Sequence, residues 1–254
     1  MNKPLFLLLF FLKLFLSSFA QAKMNAILID SAGNQITISE AKNLNLKNFK
    51  YLIITKKYID TVFERKEYNF NGPIITLTYY RDSALTVKHG RYLEYYPNGF
   101  LFKEGRFVKN KKEGAWIIYD KDAKPLYTYR YLHDSLISQE DYDSKNDLID
   151  SPAHYNGGDT IFSHLIAANI DSLIRKNIIK TEGYARIRFM IDIYGKMKNL
   201  YLLKSYSFVF DEICLKILHS IPENWIAATN NGMKVFAYFE QPIAVKFKNE
   251  HSIY

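Results

Sequence analysis

One cysteine, Cys214, serves all 254 residues, so no disulfide can form within the chain. It falls on a stretch with an apolar helical face, where a cysteine acts as a small buried hydrophobe. The seven prolines are scattered, and none of them builds a Pro-rich spacer. The six histidines, His89, His133, His154, His164, His219 and His251, show no HxxxH or HExxH spacing, which leaves no metal motif. Gly157-Gly158 opens a predicted helix whose N-terminus can hold an anion, yet no phosphate-loop or dinucleotide fingerprint surrounds it. Asp192 and Asp211 are single carboxylates, and that Ser163 and His164 are neighbours in sequence says nothing about a dyad. The expectation is therefore a protein that is not an enzyme, with no catalytic residue, no metal and no cofactor.

What the chain has in plenty is aromatic side chains, with twenty Tyr and eighteen Phe in a 48% hydrophobic composition. That is enough for a core and favours sheets over helix bundles. The N-terminus carries Lys3, an apolar run from Leu5 to Leu12, a mostly apolar stretch to Phe19 and the small-residue site Ala20-Gln21-Ala22. Residues 1–22 read as a secretory signal peptide, with the mature chain starting at Lys23. The rival reading is an uncleaved inner-membrane anchor, for which the run is short and broken by Lys13. Cleavage removes Lys3 and Lys13, so the formal charge of +8 falls by two, to +6. Export argues against nucleic acid. The surplus of Lys and Arg keeps an aromatic surface soluble or meets an anionic envelope component such as peptidoglycan or lipid head groups.

The C-terminal half is organised by Gly183 to Ser205. Ala185, Ile187, Phe189, Ile191 and Ile193 alternate with polar or charged neighbours, the period of a half-buried strand. Gly195 interrupts the run and predicts a two-residue turn at Gly195-Lys196 or Tyr194-Gly195. A second strand over Met197–Lys204 then shares an apolar face with the first through Leu200 and Leu202. Phe210, Ile213, Cys214, Ile217, Leu218 and Ile221 mark one face of a helix that Pro222 stops. Ile161, Phe162, Leu165, Ala168, Leu173 and Ile174 mark another. Lys234 to Phe247 reads as extended, so the order is helix, strand, strand, helix, strand.

Those residues resemble a known family. Pro152, Gly157-Gly158, the pattern from Gly183 through Ala185, Ile187, Phe189 and Ile191 to Asp192, then Gly195, Ser205, Asp211-Glu212, Trp225, Gly232, Pro242-Ile243, Val245 and Phe247 are similar to the TonB C-terminal domain, in its Bacteroidetes form. The resemblance covers roughly residues 150–248. It departs from the family at Ala227, where a proline is usual, and in lacking a Tyr-Pro ahead of the first strand. It implies an open sheet edge that takes up an extended segment of an outer-membrane receptor by strand addition. The edge it points to is Val235 to Phe247, with Val235, Phe236, Tyr238, Phe239, Ile243 and Val245 as the partner-binding residues.

The middle of the chain repeats itself. Gly90-Arg-Tyr-Leu-Glu-Tyr95 returns 24 residues later as Gly114-Ala-Trp-Ile-Ile-Tyr119, with turns at Pro97-Asn98-Gly99 and Asp120-Lys121-Asp122. Gly90, Tyr92, Tyr95, Gly99, Gly105, Gly114, Trp116 and Tyr119 resemble MORN repeats of the bacterial antitoxin-like variant over about residues 75–133. Such arrays add one antiparallel hairpin at a time, and their aromatics pack the sheet itself.

The fold class expected is α+β. A MORN-like β-hairpin array is followed by a TonB-like domain with two helices packed on a three-stranded antiparallel sheet. The divisions are a signal peptide at 1–22, a β lead-in at 23–71, the array at 72–133, a polar linker at 134–151 and the TonB-like domain at 152–248. The function expected is that of an exported periplasmic protein binding an envelope partner, an outer-membrane receptor peptide or another component such as peptidoglycan. The alternatives are a membrane-anchored energy transducer of the TonB type and an antitoxin or immunity partner. A homodimer is left open.

Overall fold

The computed structural model describes residues 24–38, 40–43, 48–59, 61–142 and 149–247. The signal-peptide expectation at 1–22 lies outside the described residues, as does His251. No helix among the described residues is long and apolar enough to cross a membrane. The chain divides into two compact units, one of residues up to 142 with 207–209, the other of 143–206 with 210–254.

The first unit is a ten-stranded antiparallel sheet. Its strands are β1 (Met24–Asp30), β2 (Gln35–Thr37), β3 (Phe49–Ile59), β4 (Val62–Asn69), β5 (Ile74–Tyr80), β6 (Lys88–Tyr95), β7 (Leu101–Val108), β8 (Lys111–Tyr119), β9 (Pro125–Leu132) and β10 (Ser135–Asp141). From β3 to β10 each strand pairs with the next; β1 lies between β3 and the short β2. Leu28 faces Leu52, Leu52 faces Tyr68 and Tyr68 faces Ile74, a row of four sealed side chains crossing β1, β3, β4 and β5.

The 24-residue period is visible in the turns. Lys109-Asn110 closes β7–β8 and His133-Asp134 closes β9–β10, each pair left-handed with φ of 51° and 69° and of 52° and 75°. Two left-handed central residues are the mark of the type I′ turn, whose twist suits a tight hairpin. Gly99 and Ala123 hold equivalent places, each donating its N–H back to the residue three before it.

These strands correct two divisions. Residues 23–71 supply β1 to β4 of the same sheet, so no boundary falls at residue 72. Ser135–Asp141, read as part of the linker 134–151, is the tenth strand. Its two apolar residues, Leu136 and Ile137, are adjacent and exposed, so it carries no apolar alternation to read.

The second unit holds β11 (His154–Tyr155), α1 (Asp159–Arg175), β12 (Gly183–Ile191), β13 (Met197–Lys204), all but the first two residues of α2 (Phe208–Ser220), β14 (Trp225–Ile226), β15 (Ala228–Asn230), β16 (Met233–Val235) and β17 (Ala237–Val245). β12 is central, with β13 on one side and β17 on the other. Ala185, Ile187, Phe189 and Ile191 are buried, and Ile187 faces Leu202. The β12–β13 connection is longer than a two-residue turn. Asp192 and Lys196 close a loop in which the Gly195 N–H donates to the Asp192 carbonyl, and the Asp192 carboxylate accepts from the Tyr194 and Lys196 N–H groups at 2.9 Å each. A short acidic side chain that bonds its own turn outcompetes the tighter alternative.

In α2 the six residues Phe210, Ile213, Cys214, Ile217, Leu218 and Ile221 are all buried, as their spacing predicts. In α1 only Phe162 and Ile166 are buried, while Ile161 and Ala168 face solvent. Ser205 and Asp211 are buried ahead of and inside the first turn of α2, where the Ser205 hydroxyl donates to Asp211 and the Tyr206 N–H donates to it at 2.9 Å. Ser205→Ala takes a donor from a sealed carboxylate and should cost about 2 kcal/mol, read as faster hydrogen exchange of the α2 amides.

The expected α+β class is corrected by the whole. Of the described residues 54% are strand and 16% helical, and the ten-stranded sheet dominates, so the chain is mostly β rather than an array with a small two-helix TonB-like domain. The β lead-in joins the same large sheet, and part of the stretch read as linker is strand, which tips the balance.

Candidate strand-addition edge

β17 pairs with β12 without a break in register, from Ala237 opposite Ile191 to Val245 opposite Gly183. Among the described residues no strand pairs with its other side. Pro242, opposite Arg186, fixes which backbone groups point where. Proline has no N–H for the ladder, so in a sheet it stands on an edge strand with its nitrogen turned outward. The unbroken register then turns the backbone groups of Tyr238, Glu240 and Ala244 outward as well. The side chains agree: facing residues of such a non-bonded pair approach closely, and the Arg188 guanidinium reaches Glu240 at 2.6 Å. Arg186 joins the same carboxylate at 3.4 Å. The open edge thus offers donors at 238, 240 and 244 and a gap at Pro242, which blunts its C-terminal half.

Beside this edge lies a recess of about 170 Å³, lined by Asp159, Phe162 and Ser163 at the start of α1, by Phe189 and Trp225, and by residues 239–241. Sites for drug-sized ligands run to about 300–1,000 Å³, so this one has room for a side chain rather than a cofactor. Its floor is an aromatic cluster: Phe189 and Phe239 stack at 5.6 Å and 12°, and Trp225 lies 4.8 Å from Phe162 and 4.9 Å from Phe239. Among the described residues the buried Trp225 Nε1 finds no hydrogen-bond partner; it is surrounded by rings, which accept an N–H weakly.

The expected contact residues separate into three groups. Phe239 lines the recess. Phe236 and Tyr238 are more than half exposed, with ring centres 6.0 Å apart. Ile243 and Val245 are 2% and 3% exposed and belong to the core, so they cannot touch a partner; the inward parity of β17 forces this. Val235 ends β16, which pairs with β15, so the expected strand from Val235 to Phe247 begins instead at Ala237. Phe162 and Trp225 were missing from the expected contacts. Nothing local to either residue marks it as part of a recess, because three separate elements assemble it.

No group of three or more His, Cys, Asp or Glu among the described residues is placed to hold a metal ion. Cys214 is buried, and burial, with the Asp211 carboxylate, pushes its thiol far above the usual range. Such a thiol stays protonated and is no nucleophile. Compared with family models, curated proteins and solved structures, the chain finds no match. The resemblances to TonB and MORN sequences therefore rest on the motifs quoted for them.

Proposed function

We propose that this chain is a non-enzymatic binding protein of the cell envelope, exported to the periplasm, that takes up an extended segment of a partner along the free edge of β17. The observation that carries this reading is the unpaired side of β17 beside a recess the size of a side chain. An exposed edge is a template for another strand: backbone bonds supply affinity, and a neighbouring pocket supplies preference. The motifs similar to the TonB C-terminal family point the same way and favour an outer-membrane receptor segment as the partner. Export rests on the residues at 1–22.

The edge itself says how much of it is used. The gap at Pro242 ends a continuous run of outward donors, so the added strand aligns with Ala237–Gln241. Tyr238→Pro should leave the β12 ladder intact, because the lost N–H points outward, while removing a donor the partner needs. With a partner isolated from envelope extract, this variant should bind about tenfold more weakly, the worth of one good hydrogen bond. Tyr238→Ala should lose markedly less. Equal losses would mean that the side chain, not the backbone, makes the contact; an envelope extract yielding no partner to the folded chain would end the reading.

A further inference from the structure

Two stations of the ten-stranded sheet are built alike. At the first, the Lys88 N–H donates to Asn110 Oδ1 at 2.6 Å, and the Lys88 ammonium stands 5.1 Å from the centre of the Phe107 ring and 5.9 Å from that of Tyr92. At the second, the Lys112 N–H donates to Asp134 Oδ1 at 2.6 Å, and its ammonium stands 4.6 Å from Tyr131 and 5.2 Å from Trp116. Each member lies one 24-residue period from its counterpart: Lys88 and Lys112, Tyr92 and Trp116, Phe107 and Tyr131, Asn110 and Asp134. The rings run together across β6 to β9, with centres 5.4 Å apart for Tyr92–Phe107, 5.0 Å for Phe107–Trp116 and 6.2 Å for Trp116–Tyr131.

Packing accounts for the rings but not for the cations. Holding a lysine still costs rotamer entropy, which a partly exposed cation–π contact offsets only in part. Lys103, also over Tyr92, is paired with Glu94 at 2.7 Å. Among the described residues Lys88 and Lys112 have no carboxylate partner. Both are half-buried, as are Tyr92, Phe107 and Tyr131.

We infer that this face of β6 to β9 binds a linear acidic polysaccharide, its sugar rings laid against the half-buried Tyr92, Phe107 and Tyr131 and its anionic groups on Lys88 and Lys112. The charge spacing selects this class of polymer. β6 and β8 are separated by β7, two strand spacings or roughly 10 Å. Duplex DNA presents a charge about every 1.7 Å, and polybasic lipid-binding segments use about 4–8 cations. Two cations carried on strands so spaced suit a polymer with one charge in each sugar pair, and the half-buried rings of Tyr92, Phe107 and Tyr131 suit the apolar faces of pyranoses. This inference is independent of the β17 edge.

Hyaluronan, with one carboxylate in each disaccharide, is a suitable probe for the full chain, set against neutral chitin oligosaccharides, duplex DNA and phosphatidylglycerol vesicles. The chain should bind hyaluronan in preference to all three. Lys88→Gln with Lys112→Gln should weaken that binding about tenfold, and Lys88→Arg with Lys112→Arg should retain it. Hydrogen exchange of β6 to β9 shows whether each variant keeps its fold; should the Gln pair lose protection, the Arg pair decides, with affinity kept in support and affinity lost against. Failure to bind hyaluronan, equal binding of the neutral oligosaccharide, preference for DNA or vesicles, or full affinity in a folded Gln pair would overturn the inference.

Discussion

Gly105→Ala should destabilise the ten-stranded sheet by about 3 kcal/mol, at the upper end of ordinary overpacking. A Cβ at this position would stand 2.2 Å from Trp116 Cδ2 and 2.5 Å from Cε2. The indole lies flat over the bare backbone of β7, is 2% exposed, and is held among Tyr92, Phe107 and Tyr131. It cannot withdraw without opening those contacts. The cause is separable from any backbone preference of β7. Trp116→Ala alone should cost about 3–5 kcal/mol, but in that chain Gly105→Ala should add less than about 1 kcal/mol, because the obstruction is gone. Hydrogen exchange of the β6, β7 and β8 amides measures both backgrounds. An equal cost in the two would mean that the ring does not depend on the glycine.

The same pair shows what a sequence reveals. The period from Gly90 to Gly114 and the aromatics beside it are local patterns, and they announce hairpins without saying how the rings stack. β10 gave no such notice. Its turn, His133-Asp134, takes the left-handed conformation that Asn-Gly would advertise, and the two apolar residues of its strand, Leu136 and Ile137, are adjacent and exposed rather than alternating. β4 was hidden by charge. Glu64 and Lys66 are nearly buried, 3.5 Å apart, with the Tyr79 hydroxyl donating to Glu64 at 2.6 Å. Burial raises the Glu64 carboxyl, but Lys66, Tyr79 and Lys56 outweigh it and hold it below its ordinary range. A strand whose interior positions are ionised partners cannot be read from apolar alternation. In the second unit the alternation of β12 and the spacing of α2 were plain. The burial of Ile243 was hidden because parity along β17 depends on its pairing with β12. The recess was hidden for a different reason, since α1, β14 and β17 meet only in three dimensions.

Gly195→Ala should have the largest effect in the second unit, about 3–4 kcal/mol, from two sources that can be told apart. Gly195 has φ of +74°, and a left-handed alanine costs about 1–2 kcal/mol. Its Cβ would also stand 2.3 Å from the Trp225 carbonyl oxygen and 3.2 Å from the carbonyl carbon. That neighbour is backbone, which yields less easily than a side-chain tip, so the overlap adds about 2 kcal/mol. Gly232 is the matched control, with the same φ of +74° and nothing within 4 Å of a Cβ. Gly232→Ala should therefore show the conformational cost alone. The overlap also reaches the proposed binding edge. Pushing the Trp225 backbone moves the ring that floors the recess, so Gly195→Ala should shift Trp225 emission, observed in a Trp116→Phe chain, and weaken peptide uptake beside β17. Gly232→Ala should leave the emission in place. If both variants cost the same and neither shifts the emission, the turn does not press on Trp225, and the β12–β13 loop plays no part in shaping the recess.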